Sequence, residues 1–154
     1  MVTIADRVIG SMEWASYEVF NGSAESLGLH LTEFLADTGA GDRAQLWELV
    51  ENRVFAQDDI ASAAEPVITV LLASLVDDRP TYVRIAVLDL LFHLVHAASY
   101  RDDSLGQRCV REAACGAWLL VRLAESEPGG VREACLEVLD VVSPRCADFA
   151  RIGR

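Results

Sequence analysis

The sequence contains no lysine, so all 13 of its positively charged side chains are arginines, set against 24 acidic ones. Without lysine, a phosphate-binding P-loop, a Schiff-base centre and a Ser–Lys dyad are excluded, because each of these uses a lysine amine. The formal charge of −11 disfavours binding to nucleic-acid phosphates and favours a basic protein partner, which such a charge attracts.

The motifs of common metal, redox and catalytic sites are also missing. Four cysteines are separated by 6, 20 and 11 positions without a C-x-x-C pair, and we expect all four to be reduced core residues: Cys109, Cys115, Cys135 and Cys146. There is no G-x-S-x-G, no H-E-x-x-H and no Gly-rich phosphate loop. The sequence therefore predicts a protein that is not an enzyme and uses no metal or cofactor.

Targeting signals are absent from the sequence as well. The first twenty residues carry Asp6 and Glu13 and lack the charged-then-apolar pattern of a secretion signal. The longest strongly apolar run, 66–76, is too short to span a bilayer. We expect a soluble, cytoplasmic protein that does not associate with membranes.

Apolar residues recur at helical spacing through most of the chain, and no segment shows the alternation and turn spacing of a strand hairpin. The pattern predicts an all-α protein of about six or seven helices. Ser23 and Asp42 are predicted N-caps, and Pro66 fits the first turn of a helix that ends at Val76. Other helices are predicted after Pro80, over 103–125 and over 130–142, before a tail broken at Pro144.

One part of the sequence is repeated. The stretch DDRPTYVRIAVLDLL (77–91) returns without a gap as ESEPGGVREACLEVL (125–139). Nine residues in and around it are identical in this register: Leu71, Leu72, Leu75, Pro80, Val83, Arg84, Ala86, Leu88 and Leu91. A fainter copy lies upstream, where Arg43 stands in the place of Arg84 and is followed by Trp47, Glu48 and Val50. A unit of two helices joined by a turn, recurring after 48 residues, is typical of α-solenoids, whose units share one core.

The repeated stretches resemble HEAT repeats, in which a proline-containing first helix and an acidic turn precede Val-Arg, Ala and Leu on the second helix, as in VLLASLVDDRPTYVRIAVLDLL. The resemblance implies a right-handed α-α superhelix of about three helix pairs in one domain, 1–154. The implied units are 23–54, 64–98 and 105–142, with a tail over 143–154. The stretch WASYEVFNGSAE (14–25) is similar to small actinobacterial HEAT-like proteins, some of which accompany polymorphic toxins. In those relatives the loop before the Pro-containing helix commonly reads like HQGTVYEA, whereas here it is AQDDIASA (56–63).

Two groups of charged residues recur with the repeat. Arg43, Arg84 and Arg132 hold equivalent positions, and we expect them to bond an acid or carbonyls of an adjacent turn. Acidic turns stand at 58–59 and 102–103 on one predicted edge, and at 77–78 and 125–127 on the other. These acids are either helix caps or a negative rim for a basic partner, and Asp58, Asp59, Asp102 and Asp103 are candidate partner-binding residues.

A polar and aromatic stripe follows Pro80 on an otherwise apolar helix. Its members are Tyr82, Asp89, His93, His96 and Tyr100. Second helices of solenoid pairs usually line the concave surface, so the stripe is a candidate contact with a partner. Structural histidines are the alternative, whereas a metal site at Asp89, His93 and His96 lacks a matching ligand set.

Three functions are compatible with the sequence. The resemblance implies an immunity-type protein that binds and neutralises a toxin domain, a basic one if charge guides the encounter. A scaffold that assembles other enzymes is the second hypothesis. The third is a small enzyme or ligand-binding protein that uses Asp89, His93 and His96. The sequence leaves the oligomeric state open.

Overall fold

The structure, a computed structural model, describes residues 1–36 and 43–153. Helices account for most of these residues, so the all-α prediction is confirmed. The helices are α1 (Ile4–Ser11), α2 (Leu27–Leu35), α3 (Arg43–Val54), α4 (Ala64–Val76), α5 (Thr81–Ser99), α6 (Ser104–Ala114), α7 (Ala117–Ser126), α8 (Gly130–Val142) and α9 (Pro144–Ile152). Short 3-10 turns stand at Trp14–Ser16 and Ala24–Ser26, and two short strands are β1 (Phe55–Ala56) and β2 (Asp59–Ile60).

The described ranges hold nine helices rather than six or seven, and two sequence predictions account for much of the difference. The single helix predicted over 103–125 is wrong, because α6 ends at Ala114 and α7 begins at Ala117. At the break, a Cβ on Gly116 would lie 2.5 Å from Cδ2 of Leu72, so the glycine leaves room for α4 to pack there. The tail predicted to break at Pro144 instead forms a helix, since Pro144 is the first residue of α9.

The expectation that no strands form is wrong for residues 55–60. Phe55 pairs with Ile60 in a two-residue antiparallel ladder. Gln57 and Asp58, between the strands, have φ angles of 52° and 61°. Positive φ at both central residues is what a tight type I′ hairpin turn requires, and Asp tolerates it better than most residues. We call residues 55–60 the hairpin.

Several predicted helix ends are confirmed. Pro66 lies in the first turn of α4, which ends at Val76, and α8 covers 130–142. The Asp103 carboxylate accepts a hydrogen bond of 3.0 Å from the amide of Gly106 and caps α6. Ser23 accepts one of 3.2 Å from Glu25, although it caps the 3-10 turn ahead of α2. The predicted cap Asp42 lies outside the described residues.

Helix α5 lies at the centre of the fold, against α4, α6 and α8, with α3 and the hairpin at its side. Most apolar positions that α5 shares with α8 face the core: Val83, Leu88 and Leu91 are fully buried, as are Val131 and Leu139, whereas Leu136, the equivalent of Leu88, is half-buried. Helix α5 is also long and apolar enough to span a bilayer by length and composition, but half of that window is buried against the rest of the chain. Its apolar character therefore agrees with a central core helix.

The prediction for the cysteines is confirmed at three positions and wrong at one. Cys109, Cys135 and Cys146 are buried, whereas Cys115 is exposed because it ends α6 just before the break at Gly116. Burial raises the pKa values of Cys109 and Cys135 to about 12. These two thiols are therefore unreactive as thiolates in the folded protein at neutral pH.

The repeated arginines bond neighbouring turns as predicted, at the two positions whose side chains are described. Arg84 donates to the carboxylate of Glu127, and its other terminal nitrogen lies 3.6 Å from Asp78. Arg132 donates to the carbonyl oxygens of Ala124 at 2.9 Å and Ala150 at 3.3 Å. The side chain of Arg43 lies outside the described part of the structure. Arg84 and Arg132 thus each join their own helix to another part of the chain.

Candidate functional site

An open groove of about 610 Å³ lies between the C-terminal end of α5 and the hairpin. We call it the histidine groove. Six of its lining residues have a ring or a carboxylate, and the full set is Phe55, Asp58, Phe92, His93, His96, Ala97 and Tyr100. Three of the five residues predicted for the stripe therefore lie in the groove, and the hairpin brings Phe55 and Asp58 beside them.

Three rings follow one another along α5 at intervals of four residues. Phe92 and His96 are stacked, with centroids 5.3 Å apart and planes at 23°. His96 and Tyr100 meet edge to face, with centroids 5.0 Å apart and planes at 81°. The Tyr100 side chain is 76% exposed, so the ladder ends in an aromatic ring that is open to solvent.

His93 lies deeper, where α3 and the hairpin meet α5. Its ring centroid is 5.6 Å from that of Trp47 and 5.9 Å from that of Phe55. Its Nδ1 is 3.4 Å from a carboxylate oxygen of Glu51, within ion-pairing distance but without the alignment of a hydrogen bond. Burial raises the pKa of Glu51, and the neighbouring imidazole partly opposes that shift.

Asp58 supplies a carboxylate at the mouth of the histidine groove. It occupies the turn of the hairpin with a φ of 61°, and its side chain is exposed. Asp59, the next residue, is bound by Arg101, which follows the C-terminal end of α5. The hairpin thus directs one acid into the groove and the other toward an internal arginine.

Asp89 lies next to the histidine groove rather than in it. It lines a shallower depression of about 370 Å³ with Trp47 and Glu48. Partial desolvation raises the pKa of Asp89, and His93, one turn further along α5, partly opposes the shift. The Trp47 ring contacts His93 and also lines this depression, so the two hollows are neighbours.

Tyr82 does not share this location. It lies in the first turn of α5, whereas Tyr100 directly follows the last turn. Eighteen residues of helix separate the two by about 27 Å. The structure therefore brings His93, His96, Tyr100 and Asp58 together and leaves Tyr82 at the other end.

An arginine joins the acidic turns of each predicted edge. Arg101 donates to the carboxylates of Asp59 and Asp103, which brings the 58–59 and 102–103 turns together. Arg84, bonded to Glu127 and near Asp78, does the same at the opposite edge. The hydrogen bonds from Arg101 hold the pKa of Asp103 well below its usual range. All three acids, Asp59, Asp102 and Asp103, are exposed, and Arg101 binds Asp59 and Asp103.

The histidines of the stripe do not form a metal centre. Within residues 1–36 and 43–153, no three side chains of His, Cys, Asp or Glu are grouped so that they could hold an ion. Asp89, His93 and His96 share a helix, but His93 contacts Trp47 and Phe55 while His96 contacts Phe92 and Tyr100. Their rings take part in aromatic packing.

Sequence reasoning missed four residues of the site: Trp47, Glu51, Phe55 and Phe92. For Phe92 a signal existed, because it precedes His96 and Tyr100 at the same four-residue interval. Glu51 stands four residues after Trp47 on α3, but nothing local in the sequence places α3 against α5. Phe55 enters the groove only because the hairpin folds.

A second exposed aromatic pair lies elsewhere. Trp118 of α7 and Phe149 of α9 meet edge to face with centroids 5.4 Å apart, and the two side chains are 63% and 53% exposed. Arg122 and Arg145 stand four residues from Trp118 and Phe149 on the same helices. Because arginines rather than an acidic hairpin accompany this pair, it is a surface distinct from the histidine groove.

Comparisons with known proteins returned no match to a family model, to a curated protein or to a solved structure. The resemblance to HEAT repeats, and everything it implies about function, therefore remains a prediction.

Proposed function

We propose that this chain is a non-enzymatic module that captures a basic protein partner through the histidine groove. The observation that carries the proposal is the groove itself, where the ring ladder from Phe92 to the exposed His96 and Tyr100 borders the carboxylate of Asp58. Exposed aromatic residues are enriched at protein interfaces, and negative charge speeds encounter with a basic partner. The net charge of −11 acts in the same direction over a longer range.

The fold we propose for this role is a right-handed superhelix of about three helix pairs. Its support is the return of the 77–91 sequence at 125–139 and the packing of α5 directly beside its equivalent, α8. In such a solenoid the second helices line one surface, which would carry the histidine groove. The resemblance to proteins that accompany polymorphic toxins makes a basic toxin domain the first partner to test. We expect binding to neutralise the toxin and to take place in the cytoplasm.

The test compares partners captured by the wild-type chain with those captured by a groove variant, His96→Ala/Tyr100→Ala, and by the matched surface control Trp118→Ala. We expect a basic protein that the wild type and the control both retain and the groove variant loses. After purification, this partner should bind the wild-type chain more weakly as the salt concentration rises, because exposed charges are screened. Co-expression should then rescue cells if the partner is a toxin.

Identical capture by all three proteins would contradict the use of the groove. A groove-dependent partner that does not harm cells would support the scaffold hypothesis over the immunity one.

A second candidate function is binding of a small cationic molecule in the same groove. Its volume of about 610 Å³ supports this, since small-molecule pockets occupy roughly 300–1,000 Å³. Turnover that is lost in His93→Ala without a change in melting temperature would extend this candidate to catalysis. A lowered melting temperature and no activity would instead show that His93 is structural.

A further inference from the structure

We infer that the histidine groove is a site for one arginine side chain of the partner, with the guanidinium against the rings of His96 and Tyr100 and paired with Asp58. The inference rests on the proposed function and adds the chemical group that is recognised. Four features of the structure support it: ring geometry, local charge, the place of Asp58 in the hairpin turn and the length of the ring ladder.

The rings provide a surface suited to a planar cation. His96 is stacked on Phe92 at 5.3 Å and meets the ring of Tyr100 edge to face at 5.0 Å. Tyr100 is 76% exposed, so its ring is accessible to a ligand. Cations are attracted to aromatic faces, and arginine does this more often than lysine because its guanidinium is flat and weakly hydrated.

The charges around the groove favour a cation over an anion. Asp58, Asp59, Asp102 and Asp103 lie on the hairpin and on the turn after α5, and Arg101 is the cation bound among them. Arg101 is committed to Asp59 and Asp103, which leaves Asp58 facing the groove. A phosphate or carboxylate ligand would be repelled by these acids, whereas a guanidinium would be attracted.

The hairpin constrains the backbone at Asp58. It sits in the tight turn of the hairpin at a φ of 61°, a conformation that Asp and Asn tolerate better than most other residues. The pairing of Phe55 with Ile60 holds both ends of that turn. A carboxylate can accept two parallel N–H bonds from one guanidinium, which the single ammonium of lysine cannot match.

The ladder from Phe92 to Tyr100 indicates how much of a partner fits. Eight residues of helix span about 12 Å, which is the length of about four residues of extended chain. A short extended segment with a single arginine therefore matches the site better than a long basic stretch.

The experiment uses three capped peptides of glycine and serine with one central residue: arginine, lysine or citrulline. Citrulline keeps the shape of arginine and lacks its charge. Each is titrated into the full chain at low salt and followed by two-dimensional NMR, which measures weak affinities. We expect the arginine peptide to bind about fivefold more tightly than the lysine peptide, and the citrulline peptide to show no saturable binding.

Variants assign the effect to the groove. Tyr100→Ala and Asp58→Asn should each weaken binding of the arginine peptide about two- to fivefold, while Trp118→Ala leaves it unchanged. Asn tolerates the turn conformation of Asp58, so the hairpin should survive, and an unchanged amide spectrum of residues 55–60 checks this.

Two results would overturn the inference: equal affinity for the arginine and lysine peptides, or arginine binding that survives both Tyr100→Ala and Asp58→Asn. Neither result would contradict the proposed function, because capture of a basic partner could still depend on the groove. Conversely, a groove-specific preference for arginine supports the inference even where the partner-capture experiment fails.

Discussion

Helices α5 and α8 are two copies of one sequence pattern that differ in where they end. In the register that aligns Asp77 with Glu125, the last residue of α8, Val142, is equivalent to Leu94, yet α5 continues to Ser99. In the same register His96 is equivalent to Pro144, which begins α9, and Tyr100 is equivalent to Asp148. Of the three rings of the ladder, His96 and Tyr100 therefore lie beyond the point where the copy ends, whereas Phe92 lies within the shared length.

The comparison separates stability from recognition along one helix. Positions that the copies share, such as Val83 and Leu91, are fully buried and pack the core. In the extension of α5, His96 and the following Tyr100 are exposed and face the hairpin. The extension also packs the core through Val95, Ala97 and Ala98, which are buried, while His96 presents its ring on the exposed side.

The largest effect is expected at shared core positions. Leu91→Ala and Leu139→Ala each remove a fully buried leucine from equivalent sites, so each should lower the free energy of unfolding by about 2–5 kcal/mol. Tyr100→Ala, in the unshared region, should change it by no more than about 0.5 kcal/mol. Urea denaturation followed by circular dichroism measures all three. A loss in Tyr100→Ala that equals the loss in Leu91→Ala would break the division between the two parts of α5.

The repeated arginines should have intermediate and distinguishable effects. Arg84→Ala removes the ion pair to Glu127, and Arg132→Ala removes hydrogen bonds to the carbonyls of Ala124 and Ala150. We expect each to lower the free energy of unfolding by about 1–3 kcal/mol.

Salt should separate the two arginines, because screening weakens the bond to a carboxylate more than bonds to neutral carbonyls. In urea denaturation at low and high sodium chloride, the cost of Arg84→Ala should therefore shrink, and that of Arg132→Ala should stay nearly constant. If salt changes the cost of both substitutions equally, then screening weakens the Arg84–Glu127 ion pair no more than the hydrogen bonds to the two carbonyls.

The smallest effect concerns Glu51, beside His93. Burial raises the pKa of its carboxyl in the folded state, so the folded protein binds more protons than the unfolded chain between the two pKa values. Stability from this group is therefore lost as the pH rises through that window. Glu51→Gln should be more stable than wild type at pH 8 by less than about 1 kcal/mol, with the difference vanishing below the unfolded value of 4.5.

Thermal denaturation from pH 4 to pH 8 measures this difference. A wild type that is more stable than Glu51→Gln at pH 8 would instead show that attraction to His93 exceeds the cost of burying the carboxylate.

The sequence was informative where a local pattern decided the structure. Prolines and acids marked the starts of α4, α5 and α6, and the repeat identified Val83 and Leu91 as core positions. It was uninformative where a distant contact decided. Nothing near residue 116 identifies Leu72, the side chain that a Cβ at this position would meet.

The same distinction applies to the candidate site. Helical spacing alone grouped His93, His96 and Tyr100 on one helix. The hairpin rests on positive φ at Gln57 and Asp58, residues without the Asn-Gly or Asp-Gly signature of such turns, so Phe55 and Asp58 could not be placed beside the stripe. Tyr82 was grouped with the stripe by spacing, although helix length alone separates it from Tyr100 by about 27 Å.

The most direct test of the division along α5 is an NMR map of amide shifts as the arginine peptide is titrated into the full chain. We predict that the shifts fall on residues 92–100 and on the hairpin. The equivalent residues, 140–148 at the end of α8 and in α9, and the pair Trp118 and Phe149 should not respond. Shifts centred on Trp118 and Phe149, or spread equally over α5 and α8, would contradict the claim that recognition belongs to the part of α5 that its copy lacks.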